Sequence, residues 1–345
     1  MVHVRRREFI TLIGDRTTDV AMRRRDFVGG LAGVALFAGA SPARAADYPS
    51  RSVRVVVPYP AGGPTDLIGR LLAQKLGEQL GQSFYVENIA GASGALGAGQ
   101  VAQAAADGHT LLVVTNDFAV ASVAGSKMTY DPLKSFSPVT IVATSPQVVA
   151  VNPTVPARNM KELIDLVRAA PDKYNYAGLG IGLGQLSAER LFKLGLKLDG
   201  LARVPFNGAA PAVNSTLAGH TQIIFLGLPP VAPHLSSGKL TAIAVTSHTR
   251  SPAFPEIPTL RESGVPDQES ELLIGVVAPA GTPADVLSLL QRRIRGIVAL
   301  PDVKSTLDTL SFQAVASTPS DYADQIKNDI AVWGKVMKDA NIPRD

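Results

Sequence analysis

Short β-branched strands alternate with loops and amphipathic helices along this chain, and that alternation restricts its fold more than any other feature. Strand-like runs at 52–57, 83–87 and 109–115 are separated by helical spacing over 65–80 and by a small-residue helix that ends near 106. A strand that returns parallel to its predecessor needs a crossover, usually a helix, to bring the chain back to the same end of the sheet. The sequence therefore predicts an α/β fold built on open parallel sheet.

The same alternation returns further along the chain, after a long apolar segment at 139–151, and a second apolar segment follows at 272–278. These two segments can carry the chain from one alternating run to the other and back. We predict two α/β lobes with a hinge and a central cleft, lobe 1 formed by 47–147 plus 272–345 and lobe 2 by 148–271. The other elements that the periodicity predicts are helices over 159–170, 185–194, 207–217, 283–299 and 319–341, and strands at 174–177, 202–204, 223–226, 242–246 and 312–316.

Residues 1–45 have the layout of a secretory signal peptide. Three arginines, Arg23 to Arg25, precede a 14-residue apolar stretch from Phe27 to Ala40, and the small-x-small triplet Ala43-Arg44-Ala45 follows. Signal peptides have this order of charge, apolar run and cleavage site, whereas a membrane-spanning helix needs about 20 apolar residues. We therefore expect export to the periplasm and a mature chain that is not embedded in the membrane.

Two arginine pairs leave the export route open. Arg24-Arg25-Asp26-Phe27-Val28 resembles a twin-arginine signal, and Arg6-Arg7-Glu8-Phe9-Ile10 repeats the pattern upstream. Met22 is therefore an alternative start. Both the twin-arginine and the general secretory route accept arginine-rich signal peptides.

The formal net charge of +4 belongs to this export segment. Residues 1–45 hold eight arginines and four carboxylates, so 25 of the 33 basic and 25 of the 29 acidic residues remain in 46–345. A neutral mature chain has no overall positive charge to attract nucleic acid, and we expect no nucleic-acid partner. The chain has no cysteine, which excludes disulfides, thiolate catalysis, Cys-ligated metals and thiol-linked lipid anchors.

Two glycine-containing loops follow predicted strands and precede helices, at 59–66 and 91–97. Ligands of open α/β sheets bind at the carboxyl ends of strands, and the free N–H groups of a helix N-terminus favour an anion there. Neither loop contains Lys or Arg, and the Gly-x-x-x-x-Gly-Lys-Ser/Thr motif is absent, so a small carboxylate fits better than a polyphosphate. The alternative is that these glycines only form tight turns.

Other strand ends are candidates for lining the same cleft. Asp66 either caps the first helix or meets a ligand amine or hydroxyl. Asn116 and Asp117 follow the third strand. In the second lobe, the glycine-rich loop 178–184 and the turn at 206–208 hold the corresponding positions, although a merely flexible loop is the alternative for 178–184.

Signatures of catalysis are few. Gly-x-Ser-x-Gly and His-Glu-x-x-His do not occur in this sequence. Residues 97–102 match a dinucleotide fingerprint, but they lie after the turn and within a predicted helix, where the fingerprint does not work. Asp66 and Asp117 are the acidic pair that an enzyme on this scaffold could use. We expect a non-catalytic protein that needs no metal and no cofactor.

With these motifs in view, residues 47–345 resemble the periplasmic solute-binding proteins of tripartite tricarboxylate transporters, also called the Bug family. The matching segments follow the family's order and are YPSRSVRVVVPYPAGGPTDLIGR (48–70), ENIAGASGALGA (87–98), TYDPLKSFSPVTIVA (129–143), VPFNGAAPA (204–212), GKLTAIAVTSHTRSPAFPEIPTLRESGVP (238–266) and WGKVMKDANI (333–342). The resemblance implies a type II, two-lobe Venus-flytrap fold. It also implies a small carboxylate held between the first two loops by backbone amides and ordered water.

The resemblance transfers a set of ligand-binding residues to this chain. In the first lobe these are Tyr59, Ala61, Gly62, Gly63, Thr65, Asp66, Ala92, Ser93, Gly94 and Ala95. The second lobe would close over the ligand with the loops near 178–185 and 206–208. The candidates that complete the set are Asn116 at the third strand end and, in the second lobe, Gly180, Gln185, Phe206 and Asn207.

The second lobe departs from the family's pattern. Gly178 and Gln185 stand where the family usually has Ser and His, and Phe206-Asn207 replaces its Tyr-Arg pair. Ile223 stands in place of an Asp. The half that would grip the carboxylate is intact, and the half that would recognise the rest of the ligand is altered.

These observations lead to one preferred hypothesis. The chain is expected to be a monomeric periplasmic binding protein that captures a small organic anion and delivers it, through transient contact, to membrane transporter subunits. Hinge closure would bury the ligand and mark the loaded state. The alternatives are a secreted enzyme on the same two-lobe scaffold and a sensor subunit that presents its ligand to a receptor.

Overall fold

The structure is a computed structural model, and it describes residues 48–124, 128–180 and 182–342. The predicted signal peptide and both arginine pairs lie outside the described residues. Within the described part of the chain, no helix has the length and apolar character needed to cross a membrane.

The described residues contain ten strands, ten α-helices and two short 3₁₀ turns, Ala92–Gly94 and Pro171–Lys173. The strands are β1 (Val53–Val57), β2 (Phe84–Asn88), β3 (Thr110–Thr115), β4 (Phe136–Val151), β5 (Asn175–Leu179), β6 (Ala202–Phe206), β7 (Ile223–Gly227), β8 (Thr241–Val245), β9 (Glu271–Pro279) and β10 (Gln313–Ala314). The helices are α1 (Pro64–Leu80), α2 (Ala95–Ala102), α3 (Asp117–Val120), α4 (Met160–Ala169), α5 (Leu183–Ala188), α6 (Ala209–Leu217), α7 (Leu228–Ser236), α8 (Ala284–Val298), α9 (Pro301–Thr309) and α10 (Pro319–Asp339). A π-helical segment, Glu189–Gly195, continues α5.

The strands form a mixed sheet in the order β2-β1-β3-β9-β4-β7-β5-β6, with β8 and β10 also paired to β4. The predicted parallel pairing holds within each alternating run, because β1 pairs with β2 and β3, and β5 pairs with β6 and β7. Where the two runs meet, the pairing is antiparallel. These antiparallel pairs are β3 with β9, β9 with β4, and β4 with β7. The α/β class is therefore confirmed, and the purely parallel sheet is corrected to a mixed one.

Strand β4 belongs to both halves of this sheet. Its residues 136–146 pair with β9, whereas 147–151 pair with β7 on one side and 148–151 pair with β8 on the other. Its second part is almost completely buried, since Val148 to Val151 have no exposed surface. Such an apolar run, covered on both faces, explains why the segment reads as continuous hydrophobic sequence. The lobe boundaries at 147/148 and 271/272 stay a prediction.

The sequence analysis missed two helices, α7 and α9, and both contain proline in the first turn. Helix α7 starts with Leu228-Pro229-Pro230 and contains Pro233. Helix α9 has Pro301 at its first position. Proline is tolerated in the first turn because those N–H groups have no intrahelical acceptor, yet it reads as a breaker in a periodicity analysis.

The start of α1 is corrected in the same way. The spacing predicts this helix over 65–80, but the helix begins one residue earlier, at Pro64, with Gly63 as the N-cap. The long helix α10 begins as predicted. Its cap is a complete capping box, in which the Thr318 side chain accepts from the Asp321 amide and Asp321 returns the bond.

Gly275 on β9 is required by packing. A Cβ there would overlap the hydroxyl and ring of Tyr322, whose Cε1 would be 2.7 Å away, and Tyr322 is completely buried. We expect Gly275→Ala to lower the free energy of unfolding by about 1–3 kcal/mol, because a fixed ring cannot move aside in a packed core. Urea denaturation measures this change.

Gly296→Ala is the matched control. Gly296 lies in the exposed interior of α8, and a Cβ there meets no atom within 4 Å. Alanine is the better helix former, so this variant should be neutral or up to about 1 kcal/mol more stable. Equal effects of the two substitutions would contradict the packing role of Gly275.

Candidate ligand-binding site

A cavity of about 380 Å³ opens where the carboxyl ends of strands from both halves of the sheet meet. This volume lies within the range of about 300–1,000 Å³ that is usual for small-molecule sites. Its walls follow β2, β3, β5 and β6, which is where open α/β sheets bind ligands. The lining residues are Ser93, Asp117, Ala121, Ala124, Leu179, Gly180, Gly182, Phe206, Asn207 and Gly208.

The second predicted loop contributes Ser93 through an unusual backbone. Ala92 and Ser93 have φ values of 48° and 53°, and Gly94 has 94°. Left-handed backbone costs a non-glycine residue roughly 1–2 kcal/mol, and such strain concentrates at functional sites. Ala92 and Ser93 begin a 3₁₀ turn, Ala92–Gly94, and the first N–H groups of such a turn have no acceptor within it. These two donors are available to an anion.

Close packing and a positive φ also favour glycine at position 94. A Cβ there would lie 3.2 Å from Cε1 of Tyr59. The Tyr59 hydroxyl in turn lies 2.7 Å from Oγ1 of Thr115. The ring therefore joins the first loop to the second loop and to the end of β3.

The first predicted loop is held by Asp66, which does not line the cavity. The Asp66 carboxylate accepts hydrogen bonds from the Gly62 amide at 2.8 Å, from Arg70 Nε at 3.0 Å and from Asn88 Nδ2 at 2.8 Å. Its side chain is only 2% exposed. Burial alone would raise the pKa of Asp66, but these donors outweigh it and lower the pKa below the usual value.

The structure gives Asp66 neither of the two roles considered for it, because Gly63 is the N-cap of α1 and the Asp66 carboxylate contacts the preceding loop. Asp66 is the third residue of α1, and it reaches back to the loop that precedes the helix. Its carboxylate accepts three internal donors, so it anchors the loop instead of facing the cleft. The other first-loop candidates, Ala61, Gly62, Gly63 and Thr65, also lie outside the cavity wall, as do Tyr59, Ala92, Gly94 and Ala95.

Asp117 links the two halves of the sheet at the cavity. Its Oδ1 accepts the amide N–H of Leu183, the first residue of α5, at 2.9 Å, and its Oδ2 accepts from Thr115 Oγ1 at 3.3 Å. A Cβ on Gly182, which has a φ of 147°, would lie 2.9 Å from Oδ1. Burial raises the pKa of Asp117, and the hydrogen bonds from Leu183 and Thr115 only partly offset that effect.

The remaining candidates divide between the cavity and the protein interior. Gly180, Phe206 and Asn207 line the cavity with Ser93. Asn116 does not, because its amide is engaged by β9, donating to the Glu271 carbonyl at 3.0 Å. Gln185 is buried on α5, and its Oε1 has no hydrogen-bond partner among the described residues.

Sequence reasoning missed two lining residues, Ala121 and Ala124. They follow α3, a helix of one turn that has no periodicity to reveal it. Gly178, which was expected in a loop, belongs to β5, and the loop itself is shorter. Among the described residues, no group of three or more His, Asp and Glu side chains is placed to hold a metal ion.

The fold and the cleft-like site define the class of periplasmic binding proteins. The chain aligns with the structure of MatC from Rhodopseudomonas palustris with bound malate, at 32% identity and a TM-score of 0.71 over 84% of this chain and 99% of that one. A second R. palustris protein, solved with adipate, aligns at 32% identity and a TM-score of 0.75 over 86% and 99% of the two chains.

Residues 68–342 match the family described as the tripartite tricarboxylate transporter family receptor, and the chain belongs to this family. BugT of Bordetella pertussis is 32% identical over 304 residues, which cover 87% of this chain and 92% of that protein. The resemblance noted in the sequence is thereby confirmed.

The anchoring role of Asp66 can be tested by acid titration of stability. We expect Asp66→Asn to lower the free energy of unfolding by about 1–3 kcal/mol at neutral pH, because the neutral amide cannot accept all three donors. The folded pKa is the lower one, so the carboxylate's contribution is present above the unfolded pKa of about 4 and is lost as the pH falls through the folded value. The difference between wild type and variant should therefore shrink in acid.

Asp165→Asn is the control. Asp165 forms an exposed ion pair with Lys161 on α4, at 2.7 Å. An exposed pair contributes little, so this variant should match wild type throughout. An Asp66→Asn variant as stable as wild type at neutral pH would contradict the anchor.

Proposed function

We propose that this protein is an extracytoplasmic receptor that captures a small organic anion, a carboxylate, for a tripartite tricarboxylate-type membrane transporter. One observation carries the proposal: the cavity lies between the 3₁₀ turn that begins at Ala92 and the N-terminus of α6, and no Lys or Arg is among its described lining residues. Backbone amides at strand and helix ends hold small anions in this way. The malate and adipate bound by the two R. palustris proteins support a carboxylate.

Backbone hydrogen-bond donors on opposite walls of the cavity suit a ligand that contacts both halves of the sheet. On one wall is the amide of Ser93, and the amide of Ala92 lies beside it at the start of the same 3₁₀ turn. On the other wall, Asn207 is followed by Gly208, which is the N-cap of α6. The first four N–H groups of a helix carry partial positive charge, which favours an anion. Water-mediated contacts would bring in the more distant first-loop residues of the predicted set.

Closure around the ligand would follow from the shared strand. We propose that 47–147 plus 272–345 form one lobe and 148–271 the other, with β4 and β9 near the hinge. The closed state would be the form recognised by membrane subunits, through a transient contact of the monomer. The predicted signal peptide of residues 1–45 would deliver the chain to the periplasm.

A binding role accounts for the acidic residues better than an enzymatic one. The enzyme alternative needs two titratable groups in the cleft, Asp66 and Asp117. Asp66 is engaged by Gly62, Arg70 and Asn88, which leaves Asp117 without an acidic partner among the described lining residues. General acid–base chemistry on this site would lack its second group.

Filling the cavity tests the assignment. Gly180 lines the cavity, has an ordinary backbone conformation, and would present a Cβ to open space. We expect the mature protein to show a thermal shift with at least one di- or tricarboxylate. The Gly180→Leu variant should lose that shift, with affinity reduced at least about tenfold by calorimetry, because the side chain occupies the ligand's volume.

Gly296→Leu is the matched control, since a Cβ on exposed α8 also meets nothing within 4 Å. This variant should bind like wild type. Two results would contradict the proposal. One is a wild-type protein that responds to no carboxylate, and the other is a Gly180→Leu variant that binds with unchanged affinity.

A further inference from the structure

Asp117 is the one ionisable side chain among the described residues that line the cavity. The other polar side chains there, Ser93 and Asn207, are neutral, and the rest of the wall is glycine, alanine, leucine and phenylalanine. A receptor for anions thus places a carboxyl group inside its own site. No Lys or Arg of the described lining residues compensates it.

The internal hydrogen bonds of Asp117 leave acceptor positions unused. Oδ1 accepts one bond, from the Leu183 amide at 2.9 Å, and Oδ2 accepts one, from Thr115 Oγ1 at 3.3 Å. An ionised carboxylate offers about four acceptor positions. The carboxylate is therefore fixed in place from two sides while it can still accept from a group in the cavity.

The rigid surroundings keep this group aimed at one place. Gly182 leaves room for Oδ1, since a Cβ there would approach it to 2.9 Å. The Thr115 hydroxyl that supports Oδ2 is itself 2.7 Å from the Tyr59 hydroxyl. Because both of its oxygens are held, the Asp117 side chain has little freedom to turn away from a ligand that has no hydrogen-bond donor.

Electrostatics then discriminate between ligands. An acceptor-only group placed against Asp117 would repel it or force it to take up a proton, whereas an O–H or N–H donor would pair with it. A site built to hydrogen-bond a substituent also rejects the analogue that lacks it, because the buried acceptor is left unpaired.

We propose that Asp117 selects carboxylates that carry a hydroxyl or ammonium substituent, so that the receptor takes hydroxy or amino acids in preference to plain dicarboxylates. This inference rests on the proposed function, because it assumes that a carboxylate occupies the cavity. The inference restricts the ligands to carboxylates that carry one further functional group, a hydroxyl or an ammonium.

Matched ligands test the inference. Calorimetry on the mature wild-type protein compares succinate, L-malate and L-aspartate, which share a four-carbon dicarboxylate skeleton and carry hydrogen, hydroxyl and ammonium at C2. Adipate and L-2-aminoadipate form the six-carbon pair. We expect at least one substituted acid to bind about 10- to 100-fold tighter than its plain parent, as suits a hydrogen bond to a charged group. The affinities of L-malate and L-aspartate, compared with each other, show whether the site prefers a hydroxyl or an ammonium donor.

Asp117→Asn then tests the residue. Asparagine keeps a carbonyl oxygen for the Leu183 amide but loses the charge, so the preference for the substituted acid should fall at least tenfold while the plain parent binds as well or better. Asp165→Asn, on the exposed face of α4, is the control and should keep the preference. The wild-type ranking stands as a test even where the Asp117 variant folds poorly.

The outcomes separate this inference from the proposed function. Plain dicarboxylates that bind as tightly as their substituted counterparts overturn the role of Asp117 and leave the carboxylate receptor intact. A preference that survives in folded Asp117→Asn does the same. Failure of every carboxylate to bind overturns both.

Discussion

The backbone ladder of β4 is the constraint on which the rest of the structure depends. One 16-residue strand, Phe136–Val151, hydrogen-bonds to β9 and β10 with its first part and to β7 and β8 with its second. A slip of one residue would turn every side chain to the opposite face. Because the strand is shared, the register of one half of the sheet fixes the position of the other. The cavity exists only because both halves bring their strand ends to one place.

Polar contacts then set the fine geometry around that cavity. The Tyr59 hydroxyl contacts Thr115, Thr115 contacts Asp117, and Asp117 accepts the first amide of α5. This series runs from the first loop to the second half of the sheet. Apolar packing supports it, since Leu183 on α5 lies in one buried cluster with Trp333 of α10. Movement of one half relative to the other would therefore have to break or carry along the Asp117 contact.

The sequence pattern predicted those strands, helices and loops whose formation depends on residues close together in the chain. The β-branched run Val53–Val57 and the capped helix α10 follow from spacing and end signals, and the glycine loops marked the carboxyl ends of the right strands. The roles of Asp66 and Asn116 could not be predicted, because their partners, Asn88 and Glu271, come from distant strands. Nothing in the sequence pattern indicated that short α3 would place alanines in the cavity wall.

We expect a carboxylate to bind at the backbone amides of Ala92 and Ser93. Heteronuclear NMR of the mature protein, selectively labelled with ¹⁵N-serine and ¹⁵N-alanine, measures this directly during titration with a carboxylate that gives a thermal shift. The two amide resonances should move saturably and among the most in the spectrum, as their N–H groups gain an anionic acceptor. Saturable binding that leaves both resonances in place would contradict this expectation.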